Sequence, residues 1–480
     1  MQLGQKIVVS VVYVTAMFMV ALDGTVVNVA LPSIGHEFQV PPSATGTVNI
    51  GYLISLAIFL PVAGWLGDRW GTRRILLSAL GVFAGASALC GFADSLLTLN
   101  AFRVIQGAGG GMIAPVGMAM LFRTFPPEER PKLSRSLVFP VAVAPALGPV
   151  IGGLLVEHLS WRWVFYVNLP IGILAILFGS MFLAEHKEPA AGRFDFPGFL
   201  FSASGFSMLI YSLTQGSLIG WNSAEVLVTG IVGLMLIAAL VITELRAEKP
   251  MLDLRLLSDP LFRTMNLISF FSTVGLLGML FVFPLMYQNA LNESALDTGL
   301  TLFPEALGLM LASQVMPWSY KKVGVRRLIM IALLCTIAIF VVLTLVIHKA
   351  NPWLLRVLFF GVGFFLGQSV GAVQFTSFAN IDSSSMGRAT TLFNVQNRFA
   401  SAMGVAILAG LLSVFGTVTG NGQPDLAAYQ AALFGAVVCL LTALFFATRI
   451  QKSDVTSTMR NQSVSPARSP ETGSIAKAGE

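Results

Sequence analysis

Of the 23 acidic residues in this 480-residue sequence, two fall deep inside long apolar runs: Asp23 and Glu305. A carboxylate in hydrocarbon is costly, and one that persists there points to a task. Asp23 lies about eight residues from one end of its run, roughly 12 Å deep at 1.5 Å per residue. Glu305 lies at a similar depth from the same side. Two arginines share the setting. Arg103 is close to Asp23 in depth, and Arg398 is near the middle of its run beside Asn394, Gln396 and Asn397. The chemistry on offer is proton loading and release. Burial disfavours the charged form of a carboxyl and a nearby cation favours it, so a group alternating between the two can carry a proton. All four histidines (His36, His158, His186, His348) fall between apolar runs or at their ends. That leaves these carboxylates to do any proton coupling. Other roles stay open. Asp23 also suits a structural acceptor for Thr25, Asn28 or Arg103, and Arg103 a static pair locking two helices. Glu305 suits either an acid at a cavity mouth or a proton or cation site. Arg398 must face the interior, with Glu305 or backbone carbonyls as partners.

The elements that position these residues follow from composition. The chain is 55% hydrophobic and 11% charged, against about 25% charged in soluble proteins. Apolar runs of about 20 residues recur along its length, each able to span a bilayer core. They do not alternate as barrel strands do. The fold class is therefore an all-α polytopic membrane protein. Fourteen helices are predicted, at about 7–31, 45–66, 75–93, 98–122, 134–156, 164–184, 197–217, 225–245, 263–288, 297–319, 327–347, 353–378, 389–416 and 428–448. An even number puts both termini on one side, and the positive-inside rule selects the cytoplasm. Of the 29 cations, all but Arg103, Arg162, Lys349, Arg356 and Arg398 then fall in inner loops and tails. The first run is too long for a signal-peptide core and is read as a retained helix. Asn49, Tyr52, Gln106, Gln288, Gln368, Gln374, Asn397 and Arg398 are candidates to line a substrate cavity, from their helix positions.

Several classes are excluded. The net charge of +6 is scattered through loops rather than gathered on one face, which argues against nucleic acid. Cys90, Cys335 and Cys439 lie in apolar segments without Cys-x-x-Cys spacing, and no metal-ligand pattern exists. No phosphate-binding Gly-x-x-x-x-Gly-Lys-Ser/Thr loop is present, and Gly107-x-Gly109 inside an apolar helix is packing, so no nucleotide is expected. Enzyme motifs are absent.

A charged stretch divides the chain. Gly64-Trp65-Leu66-Gly67-Asp68-Arg69-Trp70-Gly71-Thr72-Arg73-Arg74 joins predicted helices 2 and 3. Trp318-Ser319-Tyr320-Lys321-Lys322-Val323-Gly324-Val325-Arg326-Arg327, between helices 10 and 11, aligns with Trp65–Arg74 without a gap. Helices 9–14 then repeat helices 1–6. This implies an amino-terminal six-helix bundle (1–184), two inserted helices (185–262), a second bundle (263–449) and a disordered tail (450–480). Asp68 is expected to face Arg73 and Arg74 across a tight turn, as a topology signal and surface ion-pair cluster. In helix 5, Gly148, Gly152 and Gly153 permit close packing, and Pro140, Pro145 and Pro149 kink the chain.

With these residues in view, the sequence resembles the fourteen-helix drug:proton antiporters of the major facilitator superfamily, the EmrB/QacA-like branch. Gly64 to Arg74 matches the superfamily loop Gly-x-Leu-x-Asp-Arg-x-Gly-x-Arg-Arg. Leu22-Asp23-Gly24-Thr25-Val26-Val27-Asn28-Val29-Ala30-Leu31-Pro32 matches the first-helix motif, and Arg103 to Gly110 the fourth-helix motif. Ala144 to Gly153 resembles the fifth-helix antiporter motif, with Ala144 where Gly is usual. Trp161 to Phe165 and Asn168 to Gly172 are similar to the start of helix 6. The resemblance implies a major facilitator fold and export of amphiphilic or lipophilic small molecules by alternating access. It implies a bacterial inner membrane, with the proton gradient in place of a cofactor. Arg103 would join a proton relay. Asp68, within a gating set including Arg69, Gly71, Arg73 and Arg74, would dock on the opposite bundle, with the start of helix 13 after Ser383-Ser384-Ser385 as its partner. The fifth-helix motif would seal the bundle interface against proton leak. A lipid or lipid-conjugate translocator on the same fold is the alternative, and a non-transporting sensor a third. The sequence leaves oligomeric state open.

Overall fold

The computed structural model describes residues 4–40, 45, 47–126, 129–130, 143–144, 147–148, 151–187, 194–247, 250–291, 293, 295–346, 351–415 and 426–450. Among them, thirteen helices are long and apolar enough to cross a membrane. These are α1 (Gln5–Glu37), α2 (Thr47–Trp70), α3 (Thr72–Gly91), α4 (Leu96–Thr124), α6 (Trp163–Phe182, with a break at Val167), α7 (Phe196–Ile219), α8 (Ala224–Arg246), α9 (Pro260–Leu285), α10 (Ala295–Val323), α11 (Val325–Val346), α12 (Pro352–Ser377), α13 (Met386–Phe415) and α14 (Leu426–Thr448). The fifth predicted helix is represented by residues 151–158, labelled α5. The rest of it lies largely outside the described residues, as does the tail from Gln451.

Local chemistry sets several boundaries. Ser95 and Thr98 form a reciprocal capping box at the start of α4. Asp259 accepts a 2.7 Å hydrogen bond from the Phe262 N–H, followed by Pro260 in the first turn of α9. Asn351 does the same for Trp353 N at 2.9 Å before Pro352 of α12.

The charged stretch expected as a loop is mostly helix. α2 runs to Trp70 and α3 starts at Thr72, so the turn is Gly71 alone, at φ +104°. Its aligned partner behaves alike: α10 ends at Val323, α11 starts at Val325, and Gly324 has φ +83°. A single left-handed residue reverses the chain at minimal length, and glycine reaches that region at no steric cost. The gapless sequence echo is thus also a geometric one.

Small residues bring helices into backbone contact. α4 sits between α2 and α3, with Gly107 and Gly111 against the Tyr52 and Leu56 carbonyls and Gly109 against Ala79 and Phe83. In the later part of the chain, Gly308 meets Phe360 and Gly363 meets the Glu305 carbonyl between α10 and α12. Gly404 and Gly278 meet between α13 and α9. α13 bridges early and late helices, packing on α2, α4 and α7. At the cation-rich end, Thr390 donates to the Pro115 carbonyl at 3.2 Å, Arg130 donates to the Phe378 carbonyl at 2.7 Å, and the Phe122 and Phe378 rings lie 4.8 Å apart. α7 and α8 pair with each other, and α7 lies along α2 and α13. The far side of α8 exposes Leu227, Val228, Ile231, Leu234 and Met235, an apolar stripe suited to lipid.

Candidate functional site

Asp23 of α1 sits where α1, α2, α3, α4 and α6 converge. Its Oδ2 accepts a 2.6 Å hydrogen bond from Arg103 Nη1 of α4, and both side chains are fully buried. Its Oδ1 accepts from Gln106 Nε2 at 2.9 Å and from Asn168 Nδ2 of α6 at 3.0 Å. Arg103 also donates to Gln106 Oε1 at 2.8 Å and to the Val48 carbonyl at 3.4 Å. Its guanidinium lies over the Tyr52 ring, 4.2 Å from the centroid. Asn168 donates in turn to Ser87 of α3 at 3.1 Å. Opposite charges in contact, each held by further hydrogen bonds, make burial of the pair tolerable. Three buried atoms in the cluster keep unused capacity: Arg103 Nη2, the Tyr52 hydroxyl and Asn168 Oδ1 have no hydrogen-bond partner among the described residues.

The alternatives left open for Asp23 are now resolved in part. Its cation is Arg103. The Thr25 hydroxyl donates to its own helix at the Leu22 carbonyl (3.0 Å), and Asn28 donates to the Gly24 carbonyl (3.3 Å). Asn49 bridges to Asn28 at 2.7 Å. The fifth-helix motif reaches this region directly. Gly148 lies against Thr25 and Val26, and Gly152 against Val26, one turn from Asp23. Gly153 faces open space. Pro149 lies outside the described residues.

Glu305 and Arg398 do not pair. α10 packs on α12, and Glu305 makes no hydrogen bond or ion pair among the described residues. Arg398 is directed instead toward Ala57 and Leu60 of α2 and Phe206 and Ile210 of α7. The remaining cavity candidates scatter. Gln368 donates to the Ala312 carbonyl at 3.0 Å, within the α10–α12 contact. Asn397 accepts from Ser269 and Thr273 of α9 at 2.9 and 3.1 Å. Gln374 is half-buried on α12, and Gln288 falls in a π-helical turn, Met286–Ala290.

At the cation-rich end, Asp68 does not turn to Arg73 and Arg74. Arg123 of α4 donates to its Oδ1 at 2.7 Å, with both side chains nearly buried, and also to the Ser383 carbonyl at 3.1 Å. The Asp68 carboxylate lies against Gly387, the second residue of α13. A helix start attracts an anion through its unpaired N–H groups and dipole. Arg73 and Arg74 serve the α3–α6 junction. The Arg73 N–H donates to Glu185 Oε1 at 3.0 Å, its guanidinium donates to the Ser180 carbonyl, and Arg74 Nε lies 3.8 Å from Glu185 Oε2. Arg69 is exposed. Sequence reasoning overlooked Arg123, counted among the orienting cations, and also Asn168 and Ser87. Asn168 carried a signal, as the polar residue opening an apolar run within a quoted motif.

The sequence matches the Major Facilitator Superfamily profile over residues 13–405. The chain belongs to that superfamily of membrane transporters. It is 32% identical to the uncharacterized MFS-type transporter YhcA of Bacillus subtilis, over 68% of this chain and 62% of that protein. It therefore spans less than two thirds of that relative's length. It is 29% identical to the multidrug resistance protein B homolog of Mycobacterium tuberculosis, over 84% of this chain and 75% of that protein. The crystal structure of the human organic anion transporter MFSD10 superposes with a TM-score of 0.68 at 17% identity, covering 92% of this chain and 99% of that one. At that identity the likeness establishes the fold alone. The all-helical architecture is thus a major facilitator fold.

Proposed function

We propose that this transporter is a proton-coupled multidrug exporter of the fourteen-helix EmrB/QacA-like branch. In this reading it exchanges protons for amphiphilic small molecules across a bacterial inner membrane, with both termini cytoplasmic. The observation that carries the reading is the fully buried Asp23–Arg103 pair, held by Gln106 and Asn168 beside the Gly148–Gly152 contact. The multidrug-named relative supports the substrate class. The chain then works as two six-helix bundles, 1–184 and 263–449, with 185–262 inserted.

Proton binding to Asp23 cancels its charge and frees Arg103. The freed guanidinium has an unused donor, Nη2, and lies over the Tyr52 ring, so it can reorient without leaving the site. Proton and substrate must favour different conformations, because a ligand that binds both equally shifts neither. Asp68, Arg123 and Gly387 hold the cytoplasmic side shut in this conformation. Opening that side separates α2 from α13.

The test is transport in proteoliposomes with an imposed pH gradient. The wild type should show substrate-dependent proton flux. Asp23→Asn should lose that flux while retaining substrate exchange at equilibrium. Undiminished coupling in this variant would sink the assignment.

A further inference from the structure

We propose that the substrate is an anionic amphiphile, its charged head held by Arg398 and its apolar body by the inserted helix α7. This rests on the exporter reading above and names the substrate class of that transporter.

Arg398 is twelve residues into α13, about 18 Å along the helix and near mid-membrane. It shares a stripe with Gly387 and Thr391, which meet Asp68 and Gly64 of α2, so it points across the seam between the two sets of helices. It is exposed, and it makes no hydrogen bond or ion pair among the described residues. A guanidinium at this depth without a protein anion is costly, and such groups mark substrate or ion pathways. Asp23 is committed to Arg103, whose guanidinium lies over the Tyr52 ring. Glu305, the other acid at this depth, makes no ion pair with Arg398, so the Arg398 guanidinium is left without a counter-charge among the described residues. A cationic drug would meet repulsion here, and an anion would complete the set.

The walls beside Arg398 are apolar. Ala57 and Leu60 come from α2, Phe206 and Ile210 from α7, and Phe399 from α13. The Phe206 and Phe399 rings lie 6.1 Å apart, and Phe270 of α9 lies 6.4 Å from Phe399. A fixed cation beside aromatic and aliphatic surface matches a molecule with one anionic head and an apolar tail. Because α7 supplies part of that surface, the inserted pair becomes part of the binding site. Outward movement of a monovalent anion against one inward proton carries two positive charges inward. Exchange should then be driven by an inside-negative potential as well as by the pH gradient.

The experiment uses two fluorescent amphiphiles with the same alkyl tail, one ending in sulfonate and one in quaternary ammonium. Binding is measured on the purified full chain in detergent, and transport in proteoliposomes with imposed pH and potassium-diffusion potentials. The sulfonate should bind and move. Arg398→Gln should weaken its binding about ten- to a hundredfold, the range of a lost charge-assisted contact. Arg398→Lys should restore most of it, and Phe206→Ala should weaken it with Arg398 intact. Tight ammonium binding, or sulfonate binding unchanged in both Arg398→Gln and Phe206→Ala, overturns the proposal. Proton-coupled export of the ammonium probe with the sulfonate ignored overturns it and leaves the exporter reading standing. Arg398-dependent sulfonate binding without proton flux supports the site and overturns proton coupling.

Discussion

The Asp68 carboxylate of α2 lies so close to Gly387 of α13 that a methyl group added at Gly387 would stand 2.6 Å from Oδ1. That contact brings a carboxylate to the start of a helix from the other half of the chain. Gly387→Ala should therefore block full closure of the cation-rich side. Transport should fall about tenfold, equivalent to about 1.4 kcal/mol in the closing step. Cysteine-accessibility labelling at Thr391 should rise in the same variant. Normal turnover with unchanged labelling would show that the contact does not limit closure.

Arg123 links Asp68 to the Ser383 carbonyl and so ties three segments together. Asp68→Asn and Arg123→Gln should each insert normally and transport slowly. The double variant should be little worse than either alone, because both remove one shared interaction. Strictly additive losses in the cycle would separate the two residues.

Arg103→Ala should be the most destabilising single change at the Asp23 site. It leaves a fully buried carboxylate without its cation, a loss of about 3–5 kcal/mol when a buried pair is broken. Adding Asp23→Asn to it should restore part of the thermal stability without restoring coupling. Failure of the second change to raise the melting temperature would argue against an ionised pair.

Gly71→Ala should cost about 1–3 kcal/mol because its backbone is left-handed, and the new methyl group would also meet the Glu185 carboxylate. Gly81→Ala is the control, since a methyl group there meets nothing within 4 Å. Equal melting temperatures for the two variants would remove the strain argument.

At the other end of the molecule, hydrogen bonds from Arg162 (2.7 and 3.0 Å), joined by Trp161 Nε1 at 2.6 Å, hold the Glu37 carboxyl below its usual range. A lowered folded-state value means the contribution is present above the unfolded value of about 4.3. It is lost as pH falls through the folded value. Trp161 fluorescence should thus be flat from neutral pH down to the ordinary glutamate range and change only below it. A transition near neutrality would place a different group beside Trp161.

Much of this architecture was legible in the sequence because lipid leaves few choices. A run of about twenty apolar residues must be a helix, and cations mark one side. The Asp23–Arg103 pair was legible too, since both residues sit at one depth on helices that could meet. Depth does not give rotation about a helix axis. That is why Arg398 and Glu305 looked like partners: α13 turns Arg398 to α2 and α7, and α10 packs on α12. Arg123 was hidden for a different reason. A cation at a helix end satisfies the orientation rule whether or not it also binds an acid, so its second role left no separate mark. Asp68 was paired with its neighbours in sequence because a loop was assumed there, whereas continuous helix to Trp70 carries it to Arg123.

The one-residue junctions at Gly71 and Gly324 also limit how the machine can move. Two helices joined by a single residue cannot roll independently about their own axes; turning one drags the other. At Gly71 the restraint is doubled, because Glu185 grips the Arg73 N–H and the Thr72 N–H donates to the His186 carbonyl at 2.9 Å. α2, α3 and the end of α6 are geared together in this way. The freedom that remains to α2 is to tilt with its neighbours as one lever, whose short arm ends at Asp68 and whose long arm carries Tyr52.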